Sequence, residues 1–148
     1  MKIGIASDHR GYKLKEELKE YLKTKYEVYD FGTNKEESTD YPDYAFLLGT
    51  NVVDKKVDFG VAICGSGIGI SIACNKVKGI RCAKVDTKED ARVTRNDNDS
   101  NIVAFSEKIG LEQAKEIVET FINTPFSKEE KHIRRIEKIT RYEVEHDI

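Results

Sequence analysis

Cys64 stands at the head of Gly65-Ser66-Gly67-Ile68-Gly69, between an apolar run from Phe59 and a second run from Ile70 to Asn75. The first run is short and rich in β-favouring residues, as in a strand buried on both faces. The second is built of small and apolar residues that close-pack as a helix. Strand, glycine loop and helix together present backbone N–H groups and a helix N-terminus to an anionic ligand. Alternate glycines leave no Cβ to obstruct its approach. A thiol beside a helix N-terminus ionises readily and serves as a base or nucleophile near neutral pH. The plainer reading of the same residues is a tight turn above a buried core cysteine.

Two familiar phosphate loops do not fit. The dinucleotide fingerprint needs glycine at the sixth position, which is Ile70, and a nucleotide-triphosphate loop needs Gly-Lys-Ser/Thr where the next lysine is Lys76. The loop therefore suits a small anion or an oxyanion, with no specific sign of NAD or ATP.

Other residues able to do chemistry are scattered. Asp8-His9 ends an apolar run, where an imidazole reaches a ligand phosphate or hydroxyl, or simply caps a turn. Tyr41 precedes Pro42, as a ligand contact or part of a helix cap. The stretch from Arg92 to Asn101 is dense in turn-forming side chains and reads most simply as a loop. Lys131 and Arg135, four apart, share a helix face that is either solvated or a phosphate clamp. Cys74 and Cys82, set among Ile72, Ala73, Ile80 and Ala83, read as core fillers.

The elements that must position these groups alternate. Strands are expected at Lys2 to Ser7, Tyr26 to Phe31, Phe59 to Cys64, Gly79 to Val85 and Ile102 to Phe105. Leu14, Leu18, Tyr21 and Leu22 form one helical stripe, with Lys and Glu opposite. A helix opening at Thr39 to Asp43 would bury Ala45, Leu48, Gly49, Val52 and Val53. Asp86 or Thr87 caps a helix reaching about Arg95. Leu111, Ala114, Ile117, Val118, Phe121 and Ile122 face the core from another. Ser127 to Glu130 reads as a capping box for a last helix striped by Ile133, Ile136 and Ile139, with a frayed charged end over 141–148. The alternation implies an α/β domain with a parallel sheet of about five strands and helices on both faces. Ligands sit beyond the carboxyl ends of such strands. That rule gathers Asp8, His9, Tyr41, Cys64 to Gly69 and Asp86 into one candidate site.

The 148 residues make one ordinary domain, 39% hydrophobic and 35% charged. With 25 basic against 27 acidic residues, general nucleic-acid binding is disfavoured. The first residues form too short an apolar run for a signal peptide, and no segment is expected to span a membrane. Three cysteines without CxxC or zinc spacing suggest a reducing, cytoplasmic setting.

The segments SDHRGYKLK, DFGT, STDYPDYA, CGSGIGISIACNKVKGIRCA, NDSNIVAF and KHIRRIEKI, in this order, make the chain resemble the ribose-5-phosphate isomerase B family, which includes galactose-6-phosphate isomerase subunits. The resemblance covers nearly the whole chain. It implies a Rossmann-like three-layer α/β/α sandwich and a metal-free, cofactor-free aldose–ketose isomerase of a phosphorylated sugar. It also implies a homodimer or dimer of dimers with shared sites, the C-terminal helix packing on a partner.

By that resemblance Cys64 is the proton-transfer base, since the glutamate of another subgroup is replaced by Ile70. Gly65, Ser66, Gly67, Ile68 and Gly69 would hold the enediolate. Asp8, His9, Tyr41 and Asn98 match substrate-contacting positions, and Arg135 matches a phosphate-binding arginine. Asp97 stands where the family's ring-opening histidine is usual. Lys108 and Lys131 stand where arginines are common, which keeps charge and loses the bidentate fork. The expected reaction interconverts ribose 5-phosphate and ribulose 5-phosphate. The alternatives are a six-carbon sugar phosphate such as galactose or allose 6-phosphate, or a non-catalytic phosphosugar-binding module.

Overall fold

Strands and helices alternate through residues 1–145, the part of the chain that the computed structural model describes. In chain order they are β1 (Lys2–Ser7), α1 (Tyr12–Leu22), β2 (Glu27–Asp30), α2 (Tyr41–Val53), β3 (Phe59–Cys64), α3 (Ile68–Cys74), β4 (Cys82–Lys84), α4 (Lys88–Asn98), β5 (Ile102–Ser106), α5 (Leu111–Asn123) and α6 (Glu130–Glu145). A short 3₁₀ turn, Glu107–Ile109, separates β5 from α5. The five strands form one parallel sheet ordered β2-β1-β3-β5-β4.

Successive strand residues point to opposite faces, and the two faces differ in side-chain size. Ile3, Ile5, Val61, Ile63, Val103 and Phe105 pack against α1 and α5. The other face carries Ala6, Ala62, Cys64 and Ala104, small enough for α2 and α3 to lie close to the sheet. Cys64 therefore points to the side on which α2 begins. Among the described residues, no helix is long and apolar enough to cross a membrane.

Several elements depart from expectation. β2 and β4 are shorter than the apolar runs that contain them, as edge strands often are. Lys15, expected on the solvated side of α1, is fully buried, its Nζ 2.6 Å from both Asp30 and Glu16. Thr87 does cap α4, accepting the Asp90 N–H, but the helix runs on to Asn98. Arg95 explains the extension: it is buried over the Phe59 and Phe121 rings and donates to Thr124 O, Ser100 O and Asp99.

The expected capping box at Ser127 is not formed. Ser127 Oγ accepts the Glu129 N–H and contacts His132 instead, and α6 starts at Glu130. The end expected to fray is helical as far as Glu145, and 146–148 lie outside the described residues. Val53, expected in the core, is exposed, as are Phe46, Leu47, Ile68, Ile72 and Ile139.

Candidate active site

β1 and β3 are adjacent, yet the chain leaves them in opposite directions, β1 towards β2 and β3 towards the other edge. Such a switch point opens a crevice beyond the strand ends. The turn after β1 supplies Asp8 to Arg10, and the turn after β3 supplies Cys64 to Gly69. A hollow of about 480 Å³ lies there, lined by Asp8, Arg10, Tyr41, Cys64, Gly65, Ser66, Ile68, Gly69 and Lys108. A second hollow, which shares Asp8, Arg10 and Tyr41, adds His9 and the segment from Ser38 to Asp43.

The glycine loop is shaped around the cysteine. Gly67 adopts φ +79°, a left-handed conformation that favours glycine, and a Cβ there would stand 2.6 Å from the Phe105 carbonyl carbon. In that conformation the Gly67 N–H donates to Cys64 Sγ at 3.2 Å. Ser66 is exposed; its Oγ accepts the Ile68 N–H at 3.1 Å and keeps its own proton as a donor. Tyr41, first residue of α2, lies flat on Gly69, where a Cβ would come within 2.9 Å of the phenol oxygen.

Neighbouring turns brace the loop. Ser106 Oγ donates to Gly65 O at 2.7 Å and accepts the Lys108 N–H, tying the turn after β5 to the one after β3. Asp8, buried, accepts the Gly11 N–H at 3.1 Å and closes the turn into α1. His9 exchanges two bonds with Thr39: its N–H reaches Thr39 Oγ1, and its Nδ1 accepts the Thr39 N–H, both at 3.1 Å. A neutral ring held this way carries its proton on Nε2.

The Cys82 thiol is pushed well above its usual range by a hydrogen bond shared with Cys74 and by burial, which keeps it protonated.

Four of the expected site residues stand elsewhere in the chain. Asp97 and Asn98 close α4, which returns to the amino edge of the sheet before β5 begins at Ile102. Ile102 pairs with Gly60, whereas Cys64 pairs with Ser106 at the far end, so the two groups are separated by about 13 Å of strand. Lys131 and Arg135 lie on α6, whose first turn packs on that same end of α4 through Asp97 and His132. Asp86 is also outside the hollow, exposed and paired with Lys84. The expected site residues thus fall in two places: Cys64 and its loop beyond the carboxyl ends of the strands, and Asp97 and Asn98 on α4 with Lys131 and Arg135 on α6 at the amino end.

Two residues were not singled out from sequence. Arg10 lines the hollow beside Cys64, with Glu107 at 3.9 Å; its only signal is a cation directly after a strand-end Asp-His. His132 is buried behind Asp97, which sequence spacing alone does not reveal.

A protein-family model described as Ribose/Galactose Isomerase matches residues 3–139. The chain belongs to this family. Ribose-5-phosphate isomerase B of Escherichia coli is 41% identical, over 96% of this chain and 96% of that protein. The Mycobacterium tuberculosis protein of the same name is 34% identical, over 99% and 93%. The solved structure of Clostridium thermocellum ribose-5-phosphate isomerase B superimposes with a TM-score of 0.96 at 46% identity, over 99% of this chain and 100% of that one. A Mycoplasma genitalium ribose-5-phosphate isomerase B solved with bound ribulose-5-phosphate gives 0.91 at 40%, over 97% of each. The Rossmann-like α/β architecture expected from sequence is the architecture of this family.

Proposed function

We propose that this chain is an aldose–ketose isomerase that interconverts ribose 5-phosphate and ribulose 5-phosphate, with Cys64 as the base. The supporting observation is Cys64, 4% exposed but lining the hollow at the switch point of a chain whose full-length relatives are ribose-5-phosphate isomerases.

In the open-chain aldose the thiolate removes the proton on C2. The C–H pair becomes the C1–C2 double bond, and the carbonyl oxygen takes up the negative charge as an enediolate. The Ser66 hydroxyl and the backbone of Gly65 to Gly69 stabilise that charge where it develops. A proton passes from O2 to O1, which moves the charge to O2, and return of the thiol proton to C1 then leaves the C2 carbonyl of the ketose. Asp8, His9, Arg10, Tyr41 and Lys108 surround the sugar.

The phosphate is held by Lys131 and Arg135 of a second copy, because one chain keeps them at the opposite end of the sheet from Cys64. The active form is therefore a homodimer, or a dimer of dimers, with each site built from two chains. The uncovered apolar side chains of α2, α3 and α6 (Phe46, Leu47, Ile68, Ile72 and Ile139) supply the contact surface. The enzyme works in the cytoplasm, where its free thiols stay reduced.

Turnover measured across ribose 5-phosphate, galactose 6-phosphate and allose 6-phosphate tests this reading. The pentose phosphate is expected to be the preferred substrate; a hexose phosphate turned over faster would overturn the assignment.

A further inference from the structure

His132 is the one buried histidine among the described residues, 7% exposed at the start of α6. Each of its ring nitrogens faces oxygen. Nδ1 is 2.8 Å from Ser127 Oγ and 3.4 Å from Glu129 Oε2, while Nε2 is 3.8 Å from Asp97 Oδ1. When the ring is protonated both nitrogens donate, Nδ1–H to Ser127 Oγ and Glu129 and Nε2–H towards Asp97. Asp97, with a side chain 41% exposed, is also held by the Asn96 side-chain amide at 2.7 Å. The charged groups facing the pair are Glu129 just before α6, beside His132, and Arg92 on α4, whose charge acts on Asp97.

This arrangement has a use if the site is the isomerase site proposed above, on which the inference rests. An aldose 5-phosphate is a closed hemiacetal in water, and C2–H becomes acidic only when the ring opens to the aldehyde. Opening needs a proton on the ring oxygen. Carboxylate side chains alone are poor reservoirs of protons at neutral pH, whereas imidazole exchanges them there. We propose that Asp97 and His132 open the sugar ring as one unit, with Asp97 meeting the ring oxygen and His132 acting through it as a positioning residue.

From the imidazolium form of His132 the Nε2 proton passes to the Asp97 carboxylate and then to the ring oxygen, which leaves a neutral imidazole. That oxygen takes the electron pair of the breaking C1–O4 bond. The O1–H bond breaks in turn, its pair forming the C1 carbonyl and its proton leaving to water. His132 recovers a proton from water, so charge and atoms balance over the cycle.

The two directions of the reaction separate this role from a structural one. Ribulose 5-phosphate has no hydroxyl placed to close a five-membered ring, so exchange of its C1 proton with solvent needs Cys64 and no ring opening. In His132→Gln, turnover of ribose 5-phosphate is expected to fall about 100-fold. Exchange at C1 of ribulose 5-phosphate stays within about threefold of wild type. The pH profile for the aldose loses an ionisation between about pH 5 and 8, and Asp97→Asn combined with His132→Gln is no worse than the poorer single variant. His132→Asn, which keeps a partner for Ser127, repeats the measurement if His132→Gln fails to fold. Equal losses in both directions, no loss in either, or additive losses in the double variant would overturn the pairing. A wild-type enzyme without exchange at C1 would overturn the isomerase reading itself, and the pairing with it.

Discussion

The Gly67 N–H points at the Cys64 sulfur from 3.2 Å, and it does so because Gly67 takes a conformation that other residues resist. The loop is thus fitted to the sulfur rather than merely adjacent to it. A turn above an inert core cysteine has no need of such a bond, and Cys74, bonded at 3.9 Å to Ala45 O in the α2–α3 layer, shows that plainer arrangement.

Replacing Gly67 with alanine tests that fit. The added Cβ meets the backbone of Phe105, which cannot swing aside. The left-handed conformation adds strain. A loss of at least about 2 kcal/mol is expected in the unfolding free energy, read from denaturant titration, with turnover reduced in the folded fraction. A variant as stable and active as wild type would show that the loop tolerates another shape.

The separation of Cys64 from Arg135 makes a prediction about mixtures. Cys64→Ala and Arg135→Ala are each expected to form nearly inactive homodimers. After dissociation and random reassociation half the dimers are hybrids, each with one site free of either substitution, so activity returns to about a quarter of wild type. An enzyme that sediments as a monomer, or a mixture that recovers nothing, would contradict shared sites.

Much of the fold was legible because the strand–helix alternation and the strand ends are local patterns. β1 and β3 were found to the residue, since apolar runs of their length leave little choice. The end of α4 was misread for a physical reason: its residues favour turns, and what extends the helix is Arg95 lying across Phe59 and Phe121, contacts with elements distant in sequence. Lys15 was misread likewise, because its partner Asp30 sits on another element. Val53 carries the apolar spacing of a core residue, but spacing does not say whether the chain itself covers it. The grouping of Asp8, Tyr41 and Cys64 to Gly69 around one hollow followed from strand ends. Asp97 was singled out only by resemblance, since strand order alone puts it at the other edge.

The buried Lys15 gives stability a pH dependence. Burial by itself raises the Asp30 carboxyl, but hydrogen bonds from Lys15, Lys19 and the Gly32 N–H, with the charge of Lys15, hold it below its usual range. A carboxyl lowered by folding contributes stability that is complete above its unfolded value, near 3.9, and lost as pH falls through the folded one. Asp30→Asn is expected to cost about 3 kcal/mol at pH 7 by stripping a buried ammonium of a partner. The gap from wild type should narrow as pH drops below about 4. A gap that stays constant from pH 7 to pH 3 would remove Asp30 from the account.

The most direct measurement follows the C1 proton of ribulose 5-phosphate in deuterated water by NMR, with wild type and Cys64→Ala side by side. The thiolate assignment predicts deuterium at C1 with wild type, and exchange lower by at least about 100-fold in the variant, which still binds the phosphosugar. Exchange by Cys64→Ala at the wild-type rate would contradict it.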